Sequence, residues 1–202
     1  MAITLQPIAP RKISFWIRGT SPMIQHAWSD KGLKMLRMTA AERKKQPKVA
    51  RDQEQETADA CYRTDDGEYG LPLLAFKASL IGAAHKDFGL EKTLLRKAFF
   101  VPSTDSGRIV PMEFDEMVGR EDIVRIGANQ TDIRYRPEFR GWRCQITAEI
   151  DPELLKFKDI VNLINRAGFS VGIGEWRPEK GGEYGRFELD TSMPVDGVIE
   201  DE

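Results

Sequence analysis

Only two cysteines, Cys61 and Cys144, and two histidines, His26 and His85, occur in 202 residues. The isolated thiols exclude a disulfide-stapled miniprotein. They also lack the paired spacing of zinc ligands or of a redox motif. No apolar run approaches the ~20 residues that cross a bilayer, and no segment reads as a secretory signal. A soluble, intracellular chain with no membrane contact is the expectation. Asp65, Asp66, Asp115 and Glu116 are adjacent in turn-like contexts, but no trio of acids is spaced for a metal. Internal repeats and low-complexity segments are missing too, so 202 residues with 41% hydrophobic content predict one elaborated domain.

The net charge of -2 averages an uneven chain. Residues 190–202 carry five acids and no base, leaving 30 bases against 27 acids, or +3, for residues 1–189. Residues 31–53 hold eight bases and two acids, and residues 120–143 contain six arginines. Arginine outnumbers lysine 17 to 13, and its planar fork suits phosphate and stacking contacts.

Alternation predicts strands at 12–19, with Ile13, Phe15 and Ile17 on one face, and at 140–150, with Trp142, Cys144, Ile146, Ala148 and Ile150 on one face. Asp151 and Pro152 read as the start of a helix in which Leu154, Phe157, Val161 and Ile164 recur until Gly168. Phe169 to Ile173 then reads as a short strand with Arg186 to Leu189 as its hairpin partner. Pro72 opens a helix lined by Leu73, Phe76, Leu80 and Ala84 that ends near Gly89. Residues 30–62 are a polar, lysine-rich inserted arm, helical or flexible. Residues 97–127 hold two to four short strands with turns at Ser106-Gly107 and Gly119. Gly127 to Gly141 has no apolar period and is expected to protrude as a thumb-like loop, within a thumb region of about 120–141.

This order predicts an α+β fold: an antiparallel sheet with helices on one face, in the ferredoxin-like arrangement, with the basic arm and the thumb added. The open face of the sheet would carry Trp16, Arg18, Arg143 and Gln145, a combination that stacks bases and holds phosphates.

The most specific stretch runs from Val171 to Leu189. Gly172, Gly174, Gly181, Gly182 and Gly185 let the backbone turn tightly, while Trp176, Arg177, Lys180 and Arg186 supply stacking and charge. It lacks a Walker lysine-serine pair and does not join a strand to a helix, so a nucleotide-binding loop is not supported. With its Gly-Arg-Phe ending, this stretch resembles the C-terminal glycine-rich loop of the RAMP superfamily, the backbone and processing subunits of CRISPR effector complexes. The run from Leu71 to Leu80 is similar to that family's first-helix pattern of proline, three residues, large apolar, lysine, small, small, leucine. The resemblance implies an RNA-recognition fold, single-stranded RNA or DNA as ligand, and side-by-side assembly as a homo-oligomer or within a multi-subunit complex; no cofactor is expected. Position by position it implies contacts from Lys77 and Ser79 on the helix and from the loop glycines and Arg186. Leu73, Leu74 and Ala75 stand where the family usually has Gly-Ser-Ser. The overall layout also resembles uncharacterised phage and prophage proteins, implying a bacterial or phage-infected cytoplasm.

Three functions follow in order: a non-catalytic single-strand binder whose thumb grips the nucleic-acid backbone through Arg134, Arg136 and Arg140; a protein-interaction module reusing the fold; and an endoribonuclease using His26. The acidic tail from Asp190 is expected outside the core, near the basic groove, where it competes with nucleic acid or docks a partner.

Overall fold

In a computed structural model of the chain, the structure describes residues 8–45, 50–102, 108–127 and 130–197. The first strand, β1 (Arg11–Gly19), buries Ile13, Phe15 and Ile17 and turns Ser14, Trp16 and Arg18 outward. After the short β2 (Met23–Ile24), the inserted arm folds as α1 (Asp30–Arg37), α2 (Ala40–Lys44) and α3 (Gln53–Asp59). Each helix starts at a side-chain cap: Ser29, Thr39 and Asp52 accept from the amides of Gly32, Glu42 and Gln55. Gln25 closes the arm's base, donating to the Gly70 carbonyl and accepting from the Tyr62 amide.

Next come β3 (Gly70–Pro72), α4 (Leu73–Phe88), α5 (Lys92–Ala98), β4 (Phe99–Phe100) and β5 (Ile109–Pro111). Gly89 ends α4 in the left-handed conformation, as expected for a residue just past a helix. A long hairpin of β6 (Glu116–Ile126) and β7 (Gln130–Arg140) leads into β8 (Arg143–Ile150), α6 (Phe157–Ser170) and β9 (Phe187–Leu189).

The result is α+β with antiparallel sheets and, among the described residues, six α-helices. One sheet has the order β4-β8-β1-β9, another β2-β7-β6, and β3 pairs β5. The four-stranded sheet is packed on one side by α4 and α6. Phe76 of α4 meets Phe15, Phe99 and Phe187 at ring distances of 6.1, 6.4 and 5.8 Å. One hydrophobic cluster runs from Ile13 to Leu189. No helix among the described residues is long and apolar enough to cross a membrane.

Several expectations are corrected. Residues 130–140 are no loop: β7 pairs with β6 from Glu116↔Arg140 to Ile126↔Gln130. At ~3.3 Å per residue the ribbon is about 35 Å long. Gly119 sits within β6, opposite Pro137 and against Thr57 of α3, and is not a turn. The Ser106-Gly107 turn lies outside the described residues. Asp151 does not cap a helix; its carboxylate accepts from the Glu153 amide in an isolated turn, and α6 starts only at Phe157. Phe169 and Ser170 finish α6 instead of forming a strand, and β9 pairs with β1 through Ile17↔Leu189. The described tail folds back onto the body. Asp196 exchanges two backbone hydrogen bonds with Ser14 (3.0 and 2.9 Å), Val195 packs on the core, and Asp190 is buried. Segment 190–197 thus covers the part of the β1 edge that β9 leaves free.

Candidate functional site

The outward face of the four-stranded sheet follows from the same alternation that buries its other side. Trp16 stands opposite Gln145 and is half-buried, with the Arg143 guanidinium 5.8 Å from its ring centre. Arg143 is also held by Glu113 at 2.6 Å, and Arg18 by Glu188 at 2.7 Å. Asp190 lies beside this pair of arginines. Its carboxyl is held below the usual range first by the Ser192 hydroxyl and then, against burial, by the Ser192 amide and the charges of Arg18 and Arg143.

At the edge of this sheet, Phe100 faces outward opposite Glu149 while its neighbour Phe99 is fully buried. The Lys77 ammonium sits 4.7 Å above the Phe100 ring. Burial first, then the charges of Arg108 and Arg96, push the Lys77 amine below its ordinary value. Ser79, two residues on, is out of reach: it is buried, and its hydroxyl donates to the Phe76 carbonyl at 2.7 Å.

The glycine-rich loop is knit to the β1–β2 connection. Gly185 donates to the Pro22 carbonyl, Arg186 to the Ser21 hydroxyl, and Glu175 to the Ile24 carbonyl. Gly172, Gly174, Gly181 and Gly185 all take positive φ. Gly182 has no room for a side chain, since a Cβ there would lie 1.8 Å from the Trp176 carbonyl oxygen. Arg177 stays inside the loop, bonded to the Gly174 carbonyl and Glu179. Lys180 is exposed. Arg186 stacks 4.7 Å over the exposed Phe169 ring, and its Nε is buried with no hydrogen-bond partner.

Arg134, Arg136 and Arg140 of the thumb are all paired within the chain, and Arg136, with Arg120, docks the hairpin against this loop. Arg136 is 2% exposed, ion-paired with Asp122 at 3.0 Å and Glu175 at 3.3 Å. Arg120 bonds Asp122, Glu138 and the Tyr184 hydroxyl. Both guanidiniums lie over Trp176, at 5.3 and 5.0 Å, and Trp176 is held at φ 50. Burial opposes the Arg120 charge, but its bonds to Asp122, Tyr184 and Glu138 outweigh it and raise its pKa. Arg140 is shared by Glu116 and Glu138, and Arg134 pairs with Asp132 at 3.0 Å. Arg136 therefore cannot reach a ligand, and Arg134 and Arg140 reach one only by exchanging carboxylates.

His26 lines a cleft between the arm and β7 with Arg51, Asp59 and Tyr135. Its Nε2 lies 3.2 Å from Arg134, which has only donors to offer, so the ring accepts in its neutral form. Burial, then the nearby Arg134 charge, lowers its pKa below 6.5. The folded value thus lies below the unfolded one, and the associated stability is complete above pH ~6.5 and lost as the pH falls through the folded pKa. The urea midpoint of the wild type is expected to fall more steeply from pH 7 to 5 than that of His26→Gln. Parallel profiles would contradict this. No cluster of metal-ligating side chains occurs among the described residues.

Phe100, Arg96 and Arg108 were not singled out by the sequence. The doublet Phe99-Phe100 does not say which ring is buried, and the arginines converge only once α5 and the residue before β5 are placed. No protein-family model matches the chain, and no curated protein matches it.

Proposed function

We propose that this chain is a non-catalytic protein that binds single-stranded RNA or DNA and assembles side by side along the strand. The strand order β9-β1-β8-β4, with α4 between β1 and β4 in the chain and α6 between β8 and β9, supports a ferredoxin-like, RAMP-like frame. The observation that carries the proposal is the outward sheet face, where Trp16 lies under Arg143 and Phe100 under Lys77. A ring beside a cation is the pairing that stacks a base and neutralises its phosphate. The hairpin, with Ile123 exposed near its tip, is the element available to reach a neighbouring copy.

A second reading, a protein-interaction module, is favoured by the number of arginines already neutralised within the chain, Arg18, Arg136, Arg140 and Arg143 among them. Anisotropy titrations with RNA and DNA strands of about 20 nucleotides separate the two. The nucleic-acid reading expects binding at low salt, with log affinity falling by ~0.7 per decade of salt for each phosphate neutralised. No binding to either strand, or a flat salt response, leaves the interaction module.

A further inference from the structure

Several exposed arginines already face a carboxylate: Arg18 meets Glu188, Arg51 meets Glu56, Arg140 meets Glu116 and Arg143 meets Glu113. Among the described arginines without such a partner, Arg96 and Arg108 stand near a lysine that has none either. Lys77 of α4 stands over Phe100 of β4, Arg96 lies on α5 four residues before that ring, and Arg108 is bonded through its backbone carbonyl to the start of α4. Among the described residues no carboxylate is paired with any of the three. Both arginines are exposed, and Lys77 is half-buried over Phe100, which is 49% exposed at the sheet edge.

The backbone fixes this convergence. The Leu73 amide at the start of α4 donates to the Arg108 carbonyl at 2.8 Å, and α5 runs directly into β4 and so into Phe100. The charges of Arg108 and Arg96 act against the Lys77 ammonium. An anion placed there removes the repulsion, and a phosphate offers oxygens to all three donors. The exposed ring beside them has the flat apolar surface on which a nucleobase stacks.

We propose that Lys77, Arg96 and Arg108 form a phosphate-binding triad and that Phe100 stacks the base of the nucleotide so held, making one nucleotide subsite at the β4 edge of the open sheet face. The inference rests on the single-strand reading above and says where along the sheet the strand is gripped. Along β8, the residue opposite Phe100 (Glu149) is four positions from the one opposite Trp16 (Gln145). That places the two rings about 13 Å apart along the strands. A single strand laid from one to the other crosses β8 and β1.

The test uses the full chain and fluorescent single-stranded RNA and DNA oligonucleotides in anisotropy titrations across salt. Arg96→Gln/Arg108→Gln should weaken low-salt binding at least tenfold and reduce the salt slope by about 1.4, the share of two contacts at ~0.7 each. Phe100→Ala should weaken binding about tenfold with the slope unchanged, since a stacked base carries no charge. Lys44→Gln/Lys45→Gln, two exposed charges at the C-terminal end of α2, should change affinity less than about twofold, setting the size of a non-specific charge effect. If the wild type binds and the double arginine variant and Phe100→Ala both bind as tightly with the same slope, the subsite is wrong while the single-strand reading stands. An unaffected Phe100→Ala beside a weakened arginine variant overturns the base-stacking half alone. A wild type that binds neither strand overturns both. Because the replaced side chains are exposed, thermal melting should be unchanged, and a melting loss that accounts for the affinity change would also overturn the assignment.

Discussion

Replacing Arg136 with methionine is expected to cost about 3 kcal/mol of folding stability, the low end of the range for removing one partner of a buried ion pair. Arg136 is 2% exposed and Asp122 4%. Methionine keeps the unbranched stem and ends near the position of the arginine Nε, so what is lost is the guanidinium with its charge and hydrogen bonds. The low end applies because Arg120 still bonds Asp122 at 2.9 Å. The damage should extend beyond the pair. Glu175 loses its partner at 3.3 Å, and Trp176, which two guanidiniums hold in the left-handed region, loses one of them. A tryptophan in that region is strained, so releasing it should loosen the glycine-rich loop and change the tryptophan fluorescence of the folded state. Urea unfolding checks the prediction. A midpoint shift equivalent to less than about 1 kcal/mol, with m unchanged, would show that the network is not what docks the hairpin.

Gly185→Ala should cost a similar amount by a different route. A Cβ there would stand 1.7 Å from the Ile173 carbonyl oxygen, and the residue takes φ 67. The carbonyl cannot retreat freely, because it belongs to a strand of loop that Gly185 itself faces: the Ile173 amide donates to the Gly185 carbonyl at 2.9 Å. Strain at positive φ contributes ~1 kcal/mol and the displaced backbone a further ~1–3 kcal/mol. Gly181→Ala separates the two terms. Gly181 has φ 80 but nothing within 4 Å of its would-be Cβ, so only the conformational ~1 kcal/mol is expected there. Equal losses in the two variants would refute the close-packing account of the loop.

What could be read from the sequence was what a single face dictates. In β1 and β8 every second residue is apolar because that face meets α4 and α6, and α4 is bounded by Pro72 and Gly89 at the positions where their backbone preferences place them. The hairpin strand β7 was illegible for a physical reason. Its buried face includes Arg136 and Glu138, which are inside only because Asp122 and Arg120 cross from β6 to neutralise them. No apolar period marks such a strand. The partner of β9 was missed for want of any local signal, since its neighbour β1 lies about 170 residues away in the chain. The site divides in the same way. Trp16 and Lys77 could be found from strand alternation and a helix pattern, and the structure sets each beside a second group, Arg143 or Phe100. Ser79 fitted the same helix pattern but faces the core. Local spacing does not reveal which side of a helix a distant sheet will cover.

The central claim is that a single strand lies on the outward sheet face. Photo-crosslinking of the full chain to single-stranded oligonucleotides carrying iodouridine, followed by peptide mapping, tests it most directly. Adducts at Trp16 and Phe100, suppressed by unlabelled single strand, are the expected result. Binding with adducts confined to the arm helices α1 to α3, or to the hairpin tip around Ile123, would contradict it.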